Sequence, residues 1–318
     1  MNNQFIRKVE LFLLKKEEGL DLSQFRIVFQ TKQSDLESPN SCIIRIYNLS
    51  TETIQSVLKK EYDKVLLNAG YQNGNYGAIF NGTIKQFRIG RENAVDSYID
   101  ILAGDGDIGY NQGIVNKSLS AGHTIDQALN EAIKAMPGVV LAPIVLAQNP
   151  QHIPQLRGAV LAGMARSRFR NYVSSLDSTW SINDGKAVVI KKTSYLEGEA
   201  VDINVLTGLI GVPQQTDEGI ELQCLLNSRI KIGQRVRLNN AEIAQLLQQN
   251  PNAFPIQYSQ WASIQNLAVI DGSATGDGLY RAFVIEHEGD SRGNPWFSKI
   301  TCLAVNESAP IEKSVEGK

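Results

Sequence analysis

Ten residues near the C-terminus, His287-Glu-Gly289-Asp290-Ser-Arg292-Gly293-Asn-Pro295-Trp296, carry the densest chemistry in the chain. An imidazole, a carboxylate and a guanidinium this close together are the materials of acid–base catalysis or of anion binding. A metalloprotease would need a second His four positions after the first, and position 291 is Ser. The other two histidines, His123 and His152, stand in no ligand-spaced cluster. The same ten residues also make a structured turn: Asp290 caps it, Arg292 forms a charge-assisted hydrogen bond, and Trp296 packs where the next strand begins. This second reading is preferred, with the segment fixing a hairpin at a subunit contact.

Other chemical candidates are weaker. Asp105-Gly-Asp107-Ile-Gly109-Tyr-Asn111 begins like a calcium loop, but Gly109 stands where Asp or Asn is usual, and Asn116 where a bidentate Glu is needed. The Gly-rich stretches 208–213 and 272–278 lack the Gly-Lys-Ser/Thr of a phosphate loop. No Gly-x-Ser-x-Gly nucleophile elbow occurs. Arg157, Arg166, Arg168 and Arg170 form a local basic patch, read either as a solvated helix face or as a contact for an acidic partner subunit. The chain is expected to have no catalytic residues, no cofactor and no metal.

These residues must be held by ordinary packed elements, and the composition supplies them. The chain has 318 residues, 42% of them hydrophobic and 20% charged, which allows about two domains, or three small ones. Its 31 basic and 33 acidic residues leave a net charge of −2, without the cation excess by which nucleic-acid binders release counterions. The N-terminus shows no apolar signal core, and no run of about 18 apolar residues reads as a membrane span. Cys42, Cys224 and Cys302 are few and far apart inside strand-like runs, the pattern of reduced buried thiols in a protein folded in a cytoplasm.

Strand patterns cover Val9–Leu14, Phe25–Gln30, Cys42–Asn48, Val65–Tyr71, Ala78–Ile89 and Ser97–Ala103, with a helix capped by Ser50 or Thr51 between the third and fourth. The middle changes character. Thr124 and Gln127 have capping-box spacing ahead of a helix stopped by Pro137, Val139–Leu146 reads as a strand, and a second helix is expected at about Ala162–Leu176. Asp184-Gly185 marks a tight hairpin between Thr179–Ile182 and Ala187–Lys192. The last third returns to strands: Gly219–Leu226, Ile230–Leu238 and the runs on either side of the opening segment. A short helix is expected at about Ala241–Gln248, and a disordered tail at 307–318. In Tyr280–His287 the alternation places Ala282 and Val284 on one face, and Phe283 and Ile285 on the other.

The two β-rich ends repeat one order. Ile44–Ser50, Val65–Gly70, a long strand, a charged turn and Tyr98–Ala103 are matched by Leu222–Ser228, Val236–Ala241, a long strand, a charged turn and Ser298–Ala304. A duplicated supersecondary unit would build pseudo-symmetry into the chain.

An ordered set of segments resembles the baseplate hub proteins of contractile-tailed bacteriophages, a family related to the hub part of type VI secretion spikes. They are Ser38–Leu49 (with Arg45-Ile-Tyr47-Asn48), Phe80–Ile84, Leu102–Gly106, Trp180–Gly185, Cys224–Gly233 and the opening His287–Trp296. The resemblance implies a β-rich α+β fold: two tail-tube-like β-barrel domains, 1–112 and 201–306, with a small α+β hub domain inserted at 113–200. It implies a structural protein, a homotrimer of pseudo-sixfold symmetry that joins a hexameric tail tube to a trimeric central spike. Its partners would be itself, the tube, the spike and other baseplate proteins. DNA would pass as cargo only, and nothing would insert in a membrane. The location would be the virion tail, after assembly in the host cytoplasm. His287, Gly289, Asp290, Arg292, Gly293 and Trp296, with Tyr47 and Asn48, are then candidates for hairpin and subunit contacts. The competing readings are a tail-tip cell-wall hydrolase using His287 and Asp290, a tail-tube initiator, and a carbohydrate-binding module.

Overall fold

The computed structural model describes residues 4–15, 18–59, 62–144, 150–215, 219–238 and 278–304. The N-terminal part contributes β1 (Arg7–Lys15), β2 (Glu18–Asp21), β3 (Ile27–Ser34), β4 (Ser41–Tyr47), α1 (Thr51–Leu58), β5 (Lys64–Tyr71), β6 (Tyr76–Arg91) and β7 (Ser97–Gly104). The middle holds α2 (Asp107–Gln112), β8 (Ile114–Leu119), α3 (Ile125–Lys134), β9 (Val140–Leu141), β10 (Ala159–Met164), α4 (Ala165–Ser175), β11 (Ser178–Asn183) and β12 (Lys186–Lys191). The last part adds β13 (Val201–Ile203), β14 (Leu209–Gln215), β15 (Gly219–Leu225), β16 (Arg235–Leu238), β17 (Gly278–Asp290) and β18 (Trp296–Ala304).

Alternation decides what each strand buries. In register, Phe29 of β3 faces Ile44 of β4, which faces Ile101 of β7, and all three are withdrawn from water. Burying side chains of this size stabilises the fold by roughly 1.5–3 kcal/mol each. The local signals work as their chemistry requires. The Ser50 hydroxyl accepts from the Thr53 amide at 3.2 Å and starts α1. Thr124 and Gln127 form a reciprocal capping box on α3. Asp184 and Gly185 both take positive φ (53° and 74°) in the two-residue turn between β11 and β12.

Among the described residues, thirteen strands form one sheet, in the order β14-β15-β18-β17-β3-β4-β7-β6-β5-β1-β2, with β16 joined to β17 and β13 to β16. Its two halves follow the same path. The run β3-β4-β7-β6-β5 is repeated as β14-β15-β18-β17-β16. Both long strands carry a bulge at the matching place, between Ile84 and Gln86 in β6 and between Ala282 and Val284 in β17. The second bulge corrects the simple alternation expected for β17. Phe283 is the extra residue, so Ala282 and Ile285 both turn inward, each 0% exposed.

The fold is β-rich with few helices. Among the described residues it shows no closed barrel, because one open sheet runs through both β-rich parts. Three separate clusters of buried residues lie along the chain: one around Phe29, Ile44 and Phe80, one around Phe169 and Trp180 in the middle, and one around Leu222, Ile285 and Ile300.

Several elements differ from expectation. Of the strand expected at Val139–Leu146, only Val140–Leu141 is strand among the described residues, with 145–146 outside them, and the one expected from Ile230 begins at Arg235. The helix expected from Ala162 starts at Ala165, because Ala159–Met164 pairs with β8 as a strand. Asp107–Gln112 forms the short helix α2, where the sequence favours a polar loop after the strand over a calcium loop. The Ala241–Gln248 helix and the tail at 307–318 lie outside the described residues.

The middle part is held to the sheet by buried polar contacts. Asn40 donates to the Ile182 carbonyl at 2.8 Å, and the Gly185 amide donates to Asp105 at 2.8 Å. Asp35 pairs with Arg281 at 3.2 Å and accepts from Thr179 at 3.2 Å.

Candidate functional site

The chemistry-bearing segment is strand as far as Asp290, so the turn itself is only Ser291–Pro295. Its position follows from the pairing of β17 with β3, in which Asp290 lies opposite Val28 and Gly289 opposite Phe29. That register brings Arg26 to Asp290 across 264 residues of sequence, Nη2 to Oδ2 at 2.7 Å and Nε to Oδ1 at 3.3 Å. The Arg292 amide donates to the same carboxylate at 2.9 Å. Burial pushes the Asp290 carboxyl up, but Arg26 and the amides of Arg292 and Gly293 outweigh it and hold it below the usual range. It is a charged cap for the turn.

Two glycines make the close approaches. A Cβ on Gly289 would lie 2.4 Å from the Phe29 ring, and one on Gly293 would lie 2.2 Å from an Asp290 oxygen. Over Gly289 the rings of Phe29 and Trp296 meet edge to face, centroids 5.6 Å apart. Arg7 closes the turn from β1. Its guanidinium lies over the Trp296 ring at 5.4 Å and donates to the carbonyls of Gly293, Asn294 (3.1 Å) and Asp290 (3.3 Å).

Tyr47 and Asn48 arrive at the same place from the end of β4. Asn48 takes a left-handed φ of 56° and donates to Asp96 at 2.9 Å, while its side-chain oxygen accepts from the Ser97 amide at 3.0 Å. The Arg26 guanidinium lies over the Tyr47 ring at 4.7 Å. Phe25, Arg26, Tyr47, Asn48, Asp96 and Arg292 line an open cavity of about 220 Å³. Arg292 donates to the Gln24 carbonyl at 3.0 Å rather than to a carboxylate.

His287 stands apart. It turns inward, opposite in face to Asp290, and Nδ1 lies 2.7 Å from the Ser298 hydroxyl, which also accepts from the Asn227 amide at 3.1 Å. Burial, and then the charge of Lys231, push the imidazole down to about 3, so it is neutral. A Ser–His contact resembles part of a hydrolase, yet Ser298 is 0% and His287 2% exposed, and neither is open to a substrate. Thus Gly289, Asp290, Arg292, Gly293, Trp296, Tyr47 and Asn48 gather at one junction, and His287 does not. Arg7 and Arg26 were not read from the sequence. Their only sequence signal was a cation beside a strand start, since the pairing that gives them roles joins opposite ends of the chain.

The three cysteines are free and buried. Burial pushes the Cys224 thiol up to about 12. Among the described residues, no group of three or more metal-binding side chains gathers, and no helix is long and apolar enough to cross a membrane.

Among curated proteins, none matches the sequence significantly. Among solved structures, the fold is similar to a tail protein from Neisseria meningitidis MC58, with a TM-score of 0.56 at 10% identity, over 94% of this chain and 97% of that one. It is similar to the 43 kDa tail protein of prophage MuSo2 from Shewanella oneidensis, with a TM-score of 0.54 at 7% identity, over 94% and 98%. A third similar structure is the E. coli c3393 protein, described as a type VI secretion component resembling the T4 tail proteins gp27 and gp5, with a TM-score of 0.53 at 9% identity, over 92% and 77%. At these identities the likeness establishes the fold. The family model described as Baseplate hub gp41 matches residues 7–248, well over half of the chain. The chain belongs to this family of phage baseplate hub proteins.

Proposed function

We propose that the chain is the structural hub of a contractile phage tail, a homotrimeric ring of pseudo-sixfold symmetry without catalytic activity. The ring joins the hexameric tail tube to the trimeric central spike and lines the DNA channel. Segments 1–112 and 201–306 act as two tube-like units, each completed as a barrel wall on assembly, and 113–200 is the hub-specific unit between them. The junction around Asp290, Tyr47 and Asn48 holds the two units in register and presents the turn to a neighbouring subunit.

The observation that carries this reading is a pair of strand edges left without a partner among the described residues. On one edge, β17 pairs first with β16, through Gly278–Arg281, and then with β3, through Val284–Asp290. Its counterpart β6 pairs with β5 through Tyr76–Thr83, the Ile84 amide still donates to the Asp63 carbonyl at 2.8 Å, and Lys85–Arg91 then has no strand partner on that edge among the described residues. The counterpart of β3 is β14, which pairs with β15 and, among the described residues, has no partner on its other edge. The β14 edge of one copy therefore suits the β6 edge of the next, as β3 suits β17 within the chain. Such a contact is heterologous, and it closes as a ring of three when the rotation between copies is a third of a turn. It also removes exposed edges that would otherwise invite aggregation. Pro213, which has no amide to donate, falls inside the β14 bulge between Ile210 and Gln214.

Light scattering of the purified protein, alone and with spike, tests the reading. The expected result is a trimer, or a three-to-three complex with spike. Matching the halves puts Ile89 opposite Gln215 of the neighbour, so Ile89→Cys with Gln215→Cys should cross-link chains on oxidation. A monomer indifferent to spike and tube would overturn the proposal.

A further inference from the structure

The path β14-β15-β18-β17-β3-β4-β7-β6 turns one face to the cores and the other to solvent. Strand alternation fixes which residues stand on the open face. Lys32 of β3 meets Glu286 of β17 at 2.6 Å. Lys299 of β18 lies 3.4 Å from Glu221 of β15 and directly opposite Glu286. Arg45 of β4 holds Asp100 of β7 through two bonds of 2.7 and 3.0 Å and lies over the Tyr98 ring at 3.8 Å. Arg88 of β6 stands opposite Asp100 on its other side but donates to Gln86 at 3.2 Å. Glu288 and Asp290 of β17 complete the carboxylates, and Asp290 is held by Arg26 at 2.7 Å. Five cations, Arg26, Lys32, Arg45, Arg88 and Lys299, thus equal in number the five carboxylates Asp100, Glu221, Glu286, Glu288 and Asp290, and four of the cations are held by one of these carboxylates. Residues between them on this face, such as Gln30, Ile43 and Thr301, carry no charge.

Charge pairing of this kind is a poor way to stabilise a sheet, because exposed ion pairs contribute little. It has a larger effect on what the face can hold. A free cation binds phosphate by releasing a counterion, and each phosphate neutralised adds about 0.9 to the salt slope of double-stranded DNA binding. A cation already held by a carboxylate on the next strand must leave it to reach a phosphate, and that carboxylate repels the polyanion. We infer that this face lines the bore of the ring, and that its cross-strand pairing lets double-stranded DNA pass without being held. The inference rests on the ring reading above and adds to it the identity of the lining face and how that face treats its cargo.

The test compares three proteins. One is the parent. In the second, Glu221→Gln, Glu286→Gln and Asp100→Asn remove the three carboxylates that hold Lys299, Lys32 and Arg45 and leave the cations. In the third, Lys32→Gln with Glu286→Gln removes a whole pair and keeps the face neutral. Binding of a fluorescently labelled DNA duplex is read by anisotropy at low and at physiological salt, and the mass of each sample by light scattering. The stripped protein should bind at least about tenfold more tightly than the parent and lose that gain steeply with salt. The pair-deleted protein should match the parent. Should the triple variant fail to fold, Glu286→Gln alone, at a partly exposed pair, should still show a smaller salt-sensitive gain. Rings that bind DNA no better after stripping would overturn the inference and leave the ring reading intact, as would a parent that already binds DNA tightly. A parent that neither forms rings nor joins spike or tube would overturn both.

Discussion

Asp35 and Arg281 form an ion pair almost wholly withdrawn from water, Oδ2 to Nη2 at 3.2 Å, with side chains 0% and 3% exposed. Asp35 directly follows β3, and Arg281 lies in β17. The carboxylate also accepts from Thr179 of β11, and the guanidinium donates to the carbonyls of Lys191 and Ser194 at 3.0 and 2.8 Å. One buried pair therefore ties both halves of the sheet to the middle part. Burial pushes the Asp35 carboxyl up and the Arg281 guanidinium down, each toward losing its charge, and the attraction between them opposes both shifts.

A pair so placed contributes little against apolar side chains of equal volume, but breaking it is costly, because one charge is left buried alone. Asp35→Ala should lower stability by about 3–5 kcal/mol. Asp35→Leu combined with Arg281→Met should cost less than the two single changes summed. The check is a double-mutant cycle from urea midpoints, with a coupling of about 0.5–3 kcal/mol expected. Single changes that cost no more than an exposed ion pair would show that the junction is not held this way.

Acid should act on two buried groups in opposite directions. Burial raises the Asp105 carboxyl to about 7, so between that value and its ordinary 3.8 the folded chain keeps a proton that the unfolded chain lacks. Asp105 therefore adds stability as pH falls from about 7 toward 4. His287, lowered to about 3 from 6.5, does the reverse: the unfolded chain takes a proton that the fold refuses, and stability is lost as pH drops below 6.5. The parent should accordingly change little between pH 7 and 4, apart from its other carboxylates. Asp105→Asn removes one side of the balance, and its stability should fall faster with acid, by about 1.4 kcal/mol per pH unit relative to the parent. Urea midpoints measured across that range decide it, and parallel curves would show that Asp105 titrates normally.

How much could be read from the sequence depended on the range of the interaction involved. The strands of the first hundred residues other than β2, the Thr124 capping box and the Asp184-Gly185 turn depend on neighbours a few residues away, and they were legible. The match of Ile44–Ser50 to Leu222–Ser228 was legible as a pattern, and the pairing puts Ile44 opposite Ile101 and Leu222 opposite Ile300, the same place in each half. The bulge at Phe283 was not, because an extra residue shows only against the partner strand. Nor was Arg26 with Asp290, whose meeting depends on β3 finding β17 rather than on any local signal. Residues 162–164 misled for a related reason: within Ala159–Met164, Ala-Val-Leu-Ala-Gly-Met suits a helix or a strand, and β8 decides between them.

The glycines of the junction allow the sharpest test of what it does. Gly289→Ala would drive a methyl group into the Phe29 ring and part it from Trp296, an overpacking that typically costs about 1–3 kcal/mol. Gly293→Ala would instead strike the Asp290 carboxylate, at the far end of a side chain, and loosen its grip on Arg26. If the junction holds the two tube-like units in register, both changes should lower the thermal midpoint, and Gly289→Ala should lower it more. Both should also reduce the yield of assembled rings at a temperature where the chain itself remains folded. Circular dichroism separates unfolding from failed assembly, and light scattering counts the rings. Full assembly by a folded but destabilised Gly289→Ala protein would confine the junction to holding the chain together, and the subunit contact would have to be sought elsewhere.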